Sequence, residues 1–135
     1  MDEQLPVVEF AFPGPLRDRI ISEVRSGRKT ATSSLLHEYE VGKEPLPAVG
    51  DRGAVIDSNG EQVAIIQITD VRIVPIRDVP LSHALAEGEG YATVAEWRAG
   101  HTKFWSSEAM RAELGNGFEI TDSSLVVLEQ FMLAR

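Results

Sequence analysis

Gly27-Arg28-Lys29-Thr30-Ala31-Thr32-Ser33-Ser34-Leu35 places two cations beside four hydroxyl side chains, directly after an amphipathic stretch. No acidic residue falls between Glu23 and Glu38, whereas Arg25, Arg28 and Lys29 do. The segment is an island of positive charge in an acidic chain of 135 residues with a net charge of −8. Cations are welcome at a helix C-terminus, where the macrodipole is negative, so the island reads equally as a helix end or as a site. Spacing sharpens the question. Lys29 and Thr32 share a face of a helical turn but take opposite faces of a strand. With a helix stop at Gly27, the two converge only where the backbone is kinked.

Working outward, Leu16, Ile20, Ile21 and Val24 fall on one helical face, and Pro13-Gly14-Pro15 sets up the helix start. Pro6 to Phe12 reads as a strand. On the other side, residues 37 to 50 contain Gly42, Pro45, Pro47 and Gly50 and read as a loop. Gly53 to Asp57 is a strand, Asp57-Ser58-Asn59-Gly60 a hairpin turn, and Gln62 to Val74 a long β run bent near Thr69-Asp70. Pro80 to Glu87 predicts a short helix closed by Gly88. Thr93-Val94-Ala95-Glu96 is a capping box that opens a helix with Trp97, His101, Phe104 and Trp105 on one face. A further helix spans Ser107 to Leu114. Leu125 to Leu133 is the last strand, with Val127, Glu129, Phe131 and Leu133 on one face. Short strands with helices inserted at two points predict an α+β domain, a mixed β-barrel of five to six strands with helices packed at its ends.

Composition narrows the function. One domain over residues 1–135 is expected from the length. Cysteine is absent, which excludes disulfides, zinc–thiolate sites and thiol catalysis. No apolar run approaches the ~18 residues of a membrane span, and Met1-Asp2-Glu3-Gln4 has no secretory pattern, so a cytoplasmic protein without a membrane partner is expected. An isoelectric point near 4.8 disfavours non-specific nucleic-acid binding, which depends on Lys and Arg. DNA is not an expected partner; a local patch leaves room for RNA, and a neutral small ligand fits best. No metal site, phosphate-binding glycine loop or Ser–His–Asp order is present in the motifs, and no cofactor is expected. The oligomeric state is open, a homodimer included.

The Gly-Arg-Lys-Thr-Ala-Thr run after a helix, with Pro47-Ala48-Val49-Gly50-Asp51 before a strand, resembles the ASCH family. Glu87-Gly88-Glu89-Gly90 and the Glu96-Trp97-Arg98-Ala99-Gly100-His101 helix fit that family's longer branch, and the match runs from about Phe10 to Phe131. The resemblance implies a PUA-like barrel that handles RNA or nucleosides. Short members hydrolyse N4-acetylcytidine with a Lys, a Thr three residues on and a distant Glu, which map to Lys29, Thr32 and Glu89; Glu87 is the near competitor. Members closer to this length are associated with ribonuclease activity. The extra helical stretch, about Gly100 to Gly117, is expected to roof the pocket.

Two classes of function follow. In an amidohydrolase acting on N4-acylated cytidine, Thr32 attacks the acyl carbonyl, Lys29 takes its proton and Glu89 passes protons to the leaving amine. In an RNA-directed protein, a ribonuclease or a binding module without chemistry, Arg25, Arg28 and Lys29 contact phosphates. A regulatory domain with an inert pocket is the third option. Around either chemistry, Arg28, Ser33, Ser34, Trp97 and His101 are the expected substrate contacts, with Trp97 offering a stacking face and His101 an acid–base group.

Overall fold

The computed structural model describes residues 4–134; Met1 to Glu3, read above for a secretory pattern, lie outside them. In chain order the elements are β1 (Val7–Val8), α1 (Pro15–Ser26), β2 (Ala31–Leu35), α2 (Leu36–Gly42), β3 (Arg52–Ile56), β4 (Gln62–Pro75), a short 3-10 turn (Ile76–Asp78), α3 (Leu81–Ala86), α4 (Val94–Trp105), α5 (Glu108–Leu114) and β5 (Leu125–Leu133). They form an α+β fold around one five-stranded sheet of order β1-β3-β4-β5-β2. β1 joins β3 in parallel and the other pairings are antiparallel. The sheet carries the expected number of strands but is not closed: among the described residues no ladder links β1 to β2.

Two apolar clusters hold the layers. Alternation along β5 sends Val126 and Leu128 into one cluster with Trp97, Trp105, Met110 and Leu114 of α4 and α5. Phe131, on the other face, joins Phe10, Ile20, Ile21 and Val24, so α1 covers that face of the sheet. Burying each large side chain is worth roughly 1.5–3 kcal/mol. The bend foreseen near Thr69-Asp70 is a register shift of the β4–β5 ladder between Ile68 and Asp70.

Two local expectations needed correction. The strand over Pro6 to Phe12 shrinks to Val7–Val8, because the chain turns sharply at Ala11 (φ 57°). The guanidinium of buried Arg17 donates to the carbonyls of Phe10 at 3.0 Å and Ala11 at 2.9 Å, replacing a ladder with a side chain. The loop expected from residue 37 begins as α2. Its N-terminus is capped by the Glu38 carboxylate, which accepts from the Leu35 amide at 2.7 Å, and the glycine and prolines that signalled a loop act only at its end.

Candidate functional site

Helix α1 ends where the sequence says it should. Gly27 takes the left-handed conformation (φ 85°) that only glycine adopts without strain, and its amide returns to the Val24 carbonyl at 3.2 Å. The chain leaves α1 directly into the segment preceding β2. There the Lys29 amide reaches the Glu23 carbonyl at 3.0 Å and the Thr30 amide reaches the Ala86 carbonyl at 2.8 Å. This last bond clips the end of α3 to the cationic segment. Gly88 (φ 66°) makes the approach possible: a Cβ there would lie 2.5 Å from the Arg28 carbonyl oxygen and 2.8 Å from the Lys29 Cα.

The clip brings the expected partners together. Lys29, only 2 % exposed, donates from Nζ to Glu89 Oε2 at 3.0 Å and to the Glu87 carbonyl oxygen at 3.3 Å, with the Phe10 ring 5.8 Å away. An ammonium has three N–H donors, so one remains for a ligand. Lys29, Thr32 and Glu89 line one cavity of about 480 Å³, whose walls include Tyr91 and, from α4, His101, Phe104 and Trp105. The Gly100–Gly117 stretch therefore does contribute to the walls, through its first half. Thr32 makes no direct hydrogen bond to Lys29; among the described residues its hydroxyl has no hydrogen-bond partner at all.

Behind this cavity lies a network that sequence reasoning missed. Glu87, fully buried, accepts from Trp97 Nε1 at 2.7 Å and from the Ser33 hydroxyl, and His83 Nε2 lies 3.1 Å from the same oxygen. Its other oxygen sits 2.9 Å from His101 Nε2, an ion-pair contact off the N–H axis rather than an aligned hydrogen bond. The His101 Nδ1–H donates to the Trp97 carbonyl at 3.0 Å, and the imidazole stacks on the indole with centroids 4.4 Å apart. Burial raises the Glu87 carboxyl, but the contacts with His101 and His83 and the charge of Lys29 outweigh it and hold the group well below the usual carboxylate range. The available signal was the His83–Glu87 spacing of four on α3, one helical turn.

The remaining expected contacts divide. Ser33 and His101 border the cavity, although both are committed to Glu87. Trp97 is 0 % exposed and anchors the core, so it offers no face to a base. Ser34 lies on the side of β2 opposite Ser33, where it meets the Tyr39 hydroxyl at 3.0 Å and does not reach the cavity. Arg28 is exposed and paired with Glu23. Burial removes Trp97, the contact with Tyr39 engages Ser34, and solvent exposure removes Arg28.

A cation-ligand set also exists in outline: Glu87, Glu89 and His101 each offer one atom, all within 4.8 Å of one another. Lys29 fits poorly with a metal there, since its ammonium already engages Glu89 at 3.0 Å.

The chain belongs to the ASCH domain family, whose sequence model matches residues 9–135. It is similar to a crystal structure of a protein from Enterococcus faecalis V583, with 30 % identity, a TM-score of 0.85, and coverage of 99 % of this chain and 79 % of that one. An ASCH domain from Lactobacillus crispatus JV V101 shares 29 % identity with a TM-score of 0.82, covering 96 % and 79 %. An ASCH protein from Zymomonas mobilis, at 10 % identity and a TM-score of 0.53 over 93 % of this chain and 67 % of that one, shares the fold alone. No curated protein matches the chain. The fold is PUA-like, and the family is associated with RNA-binding and hydrolase roles. No helix among the described residues is long and apolar enough to cross a membrane.

Proposed function

We propose that the protein is a hydrolase of N4-acylated cytidine, with Thr32 as nucleophile and the Lys29–Glu89 pair holding the acyl group. The observation that carries this reading is the buried ammonium 3.0 Å from Glu89 in a cavity that Thr32 also lines. A cavity of about 480 Å³ suits a nucleoside, and the aromatic rings of Tyr91 and Phe104 in its wall suit a flat base. An uncharged nucleoside also suits a chain of net charge −8.

In this reading the lysine takes a different role from that of a base. Its Nζ already donates to a carboxylate and a carbonyl, so Lys29 serves as a donor to the acyl oxygen as negative charge develops there. Glu89 holds that ammonium in place at the cavity. Purified protein incubated with N4-acetylcytidine is expected to release cytidine and acetate, resolved by chromatography. Lys29→Met should abolish the release, and full turnover by that variant would refute the assignment.

A specific observation supports a second reading. Arg19 and Lys103 are exposed at the same cavity, and among the described residues neither forms an ion pair. They would suit the phosphates of a short RNA. Cleavage of a single-stranded oligonucleotide, weakening steeply with salt and lost on Lys103→Ala together with Arg19→Ala, would favour that reading over the nucleoside one.

A further inference from the structure

Thr32 borders two cavities. The second, about 880 Å³, is lined by Thr32 together with Tyr39, Asp51, Arg52 and Glu129. Glu129 stands directly opposite Thr32 in the β2–β5 ladder, and opposed residues of an antiparallel pair project to one face with Cβ atoms about 4.5–5.5 Å apart. A carboxylate is out of pattern there, because its neighbours on that face of β5, Val127 and Phe131, are buried and apolar. Among the described residues no hydrogen bond or ion pair reaches the Glu129 carboxyl, and the Thr32 hydroxyl is likewise uncommitted. Lys29 is the contrary case, with two acceptors already on its ammonium.

We propose that Glu129, rather than Lys29, is the general base that takes the Thr32 hydroxyl proton, an assignment that rests on the nucleoside-amidase reading. Burial raises this carboxyl to about 7, with Asp51 adding to the effect and Lys29 opposing it. A base is most useful when its pKa lies near the working pH. The other ionisable groups around it are Tyr39 from α2, held protonated and pushed up to about 12 chiefly by burial, Glu44 beyond α2, and Arg52 at the start of β3.

The chemistry balances without a further reactant except water. The Thr32 proton passes to Glu129 as Oγ1 bonds to the acyl carbon, and the carbonyl electron pair moves onto the oxygen facing Lys29. The C–N4 bond then breaks, its electron pair staying with nitrogen, which receives the proton from Glu129 and leaves as the amine of cytidine. Water attacks the threonyl ester and gives its proton to Glu129; the ester C–O bond breaks, that proton returns to Oγ1, and the carboxylic acid departs.

The test compares wild type, Glu129→Gln and Glu129→Asp on N4-acetylcytidine from pH 5 to 9, with circular dichroism confirming folding. Glu129→Gln should lower kcat by about 100-fold or more while KM changes by no more than about twofold. It should also erase the acid limb of the kcat/KM profile near pH 7, which a purely structural residue would not do; Glu129→Asp should restore part of both. An active wild type whose Glu129→Gln variant keeps its rate and its acid limb overturns this assignment and leaves the amidase reading standing. A wild type inert toward N4-acylated cytidines overturns both.

Discussion

Besides its partner Glu89, two carboxylates feel the charge of Lys29, and their surroundings could hardly differ more. Glu87 is fully buried yet met by an indole N–H, a hydroxyl and two imidazoles, which hold its carboxyl well below the ordinary range after overcoming the cost of burial. Glu129 is only partly buried but has no hydrogen-bond donor among the described residues, and burial with Asp51 nearby raises it to about 7. Burial alone therefore does not decide a carboxyl's behaviour; the donors around it do. The satisfied group ties β2, α3 and α4 together and is spent on structure, whereas the unsatisfied one is available to exchange a proton.

The sharpest way to break this contrast is to remove the satisfied carboxylate. Glu87→Ala leaves the Trp97 N–H, the Ser33 hydroxyl, the buried His83 imidazole and the partly buried His101 imidazole without their shared acceptor, a loss expected to cost about 3–5 kcal/mol in urea denaturation at pH 7. The same group sets a pH sign. Its folded pKa lies below the value of 4.5 for the free side chain, so its stabilisation is present above that pH and declines as the pH falls further. A wild-type stability that stays flat from pH 6 to 3, with a Glu87→Ala curve parallel to it, would remove the network from the account of the fold.

Next in size is the glycine that brings the two regions into register. Gly88→Ala adds a Cβ 2.5 Å from the Arg28 carbonyl oxygen at a backbone angle of φ 66°. Strain and collision together should cost about 1–3 kcal/mol. Because the collision lies between the Glu87–Glu89 turn and the Lys29 backbone, activity should fall further than stability does. A variant that binds and turns over N4-acetylcytidine as the wild type does would show that the clip does not set the Lys29–Glu89 distance.

How far the sequence discloses this arrangement depends on how many elements a role requires. Lys29 is readable because a cationic run after a helix is a local pattern, whereas Glu89 is reached only through the family resemblance, with Glu87 two residues away as its competitor. The role of Glu87 is not local: its partners come from β2, α3 and α4, and only the packing of these elements unites them. Trp97 misled for the same reason, since an aromatic stripe on a helix does not announce which of its members the core takes. Glu129 carried a signal that strand alternation makes visible, a carboxylate between Val127 and Phe131, but its partner across the ladder emerges only with the register. The open edge of the sheet is a matter of strand order, which no short-range pattern encodes.

Glu129→Gln sharpens the comparison from the other side. The folded chain retains this proton up to about pH 7, while the unfolded chain sheds it near 4.5. A raised folded pKa means that its contribution to stability is full at acid pH and is lost as the pH rises through that window. The variant should thus match wild type at pH 4 and exceed its stability at pH 9 by about 3 kcal/mol, even as turnover collapses. Equal stability at both pH values would mean that the carboxyl is better solvated than its place opposite Thr32 implies.

The smallest effect is expected at Arg28, and its smallness is informative. The guanidinium is exposed and its one charged partner is Glu23, a pair on the solvent side of α1. Exposed ion pairs contribute little because water and salt screen them and two flexible side chains must be ordered to form them. Arg28→Ala should leave the melting temperature and the kinetics on N4-acetylcytidine unchanged at physiological salt, although Arg28 adjoins Lys29 in the same cationic run. Adjacent residues on an extended backbone point to opposite sides, so one cation enters the cavity and its neighbour meets solvent. A loss of activity in this variant, with folding intact, would show that the ligand extends beyond the cavity to the α1 surface, as a phosphate-bearing RNA would and a free nucleoside would not.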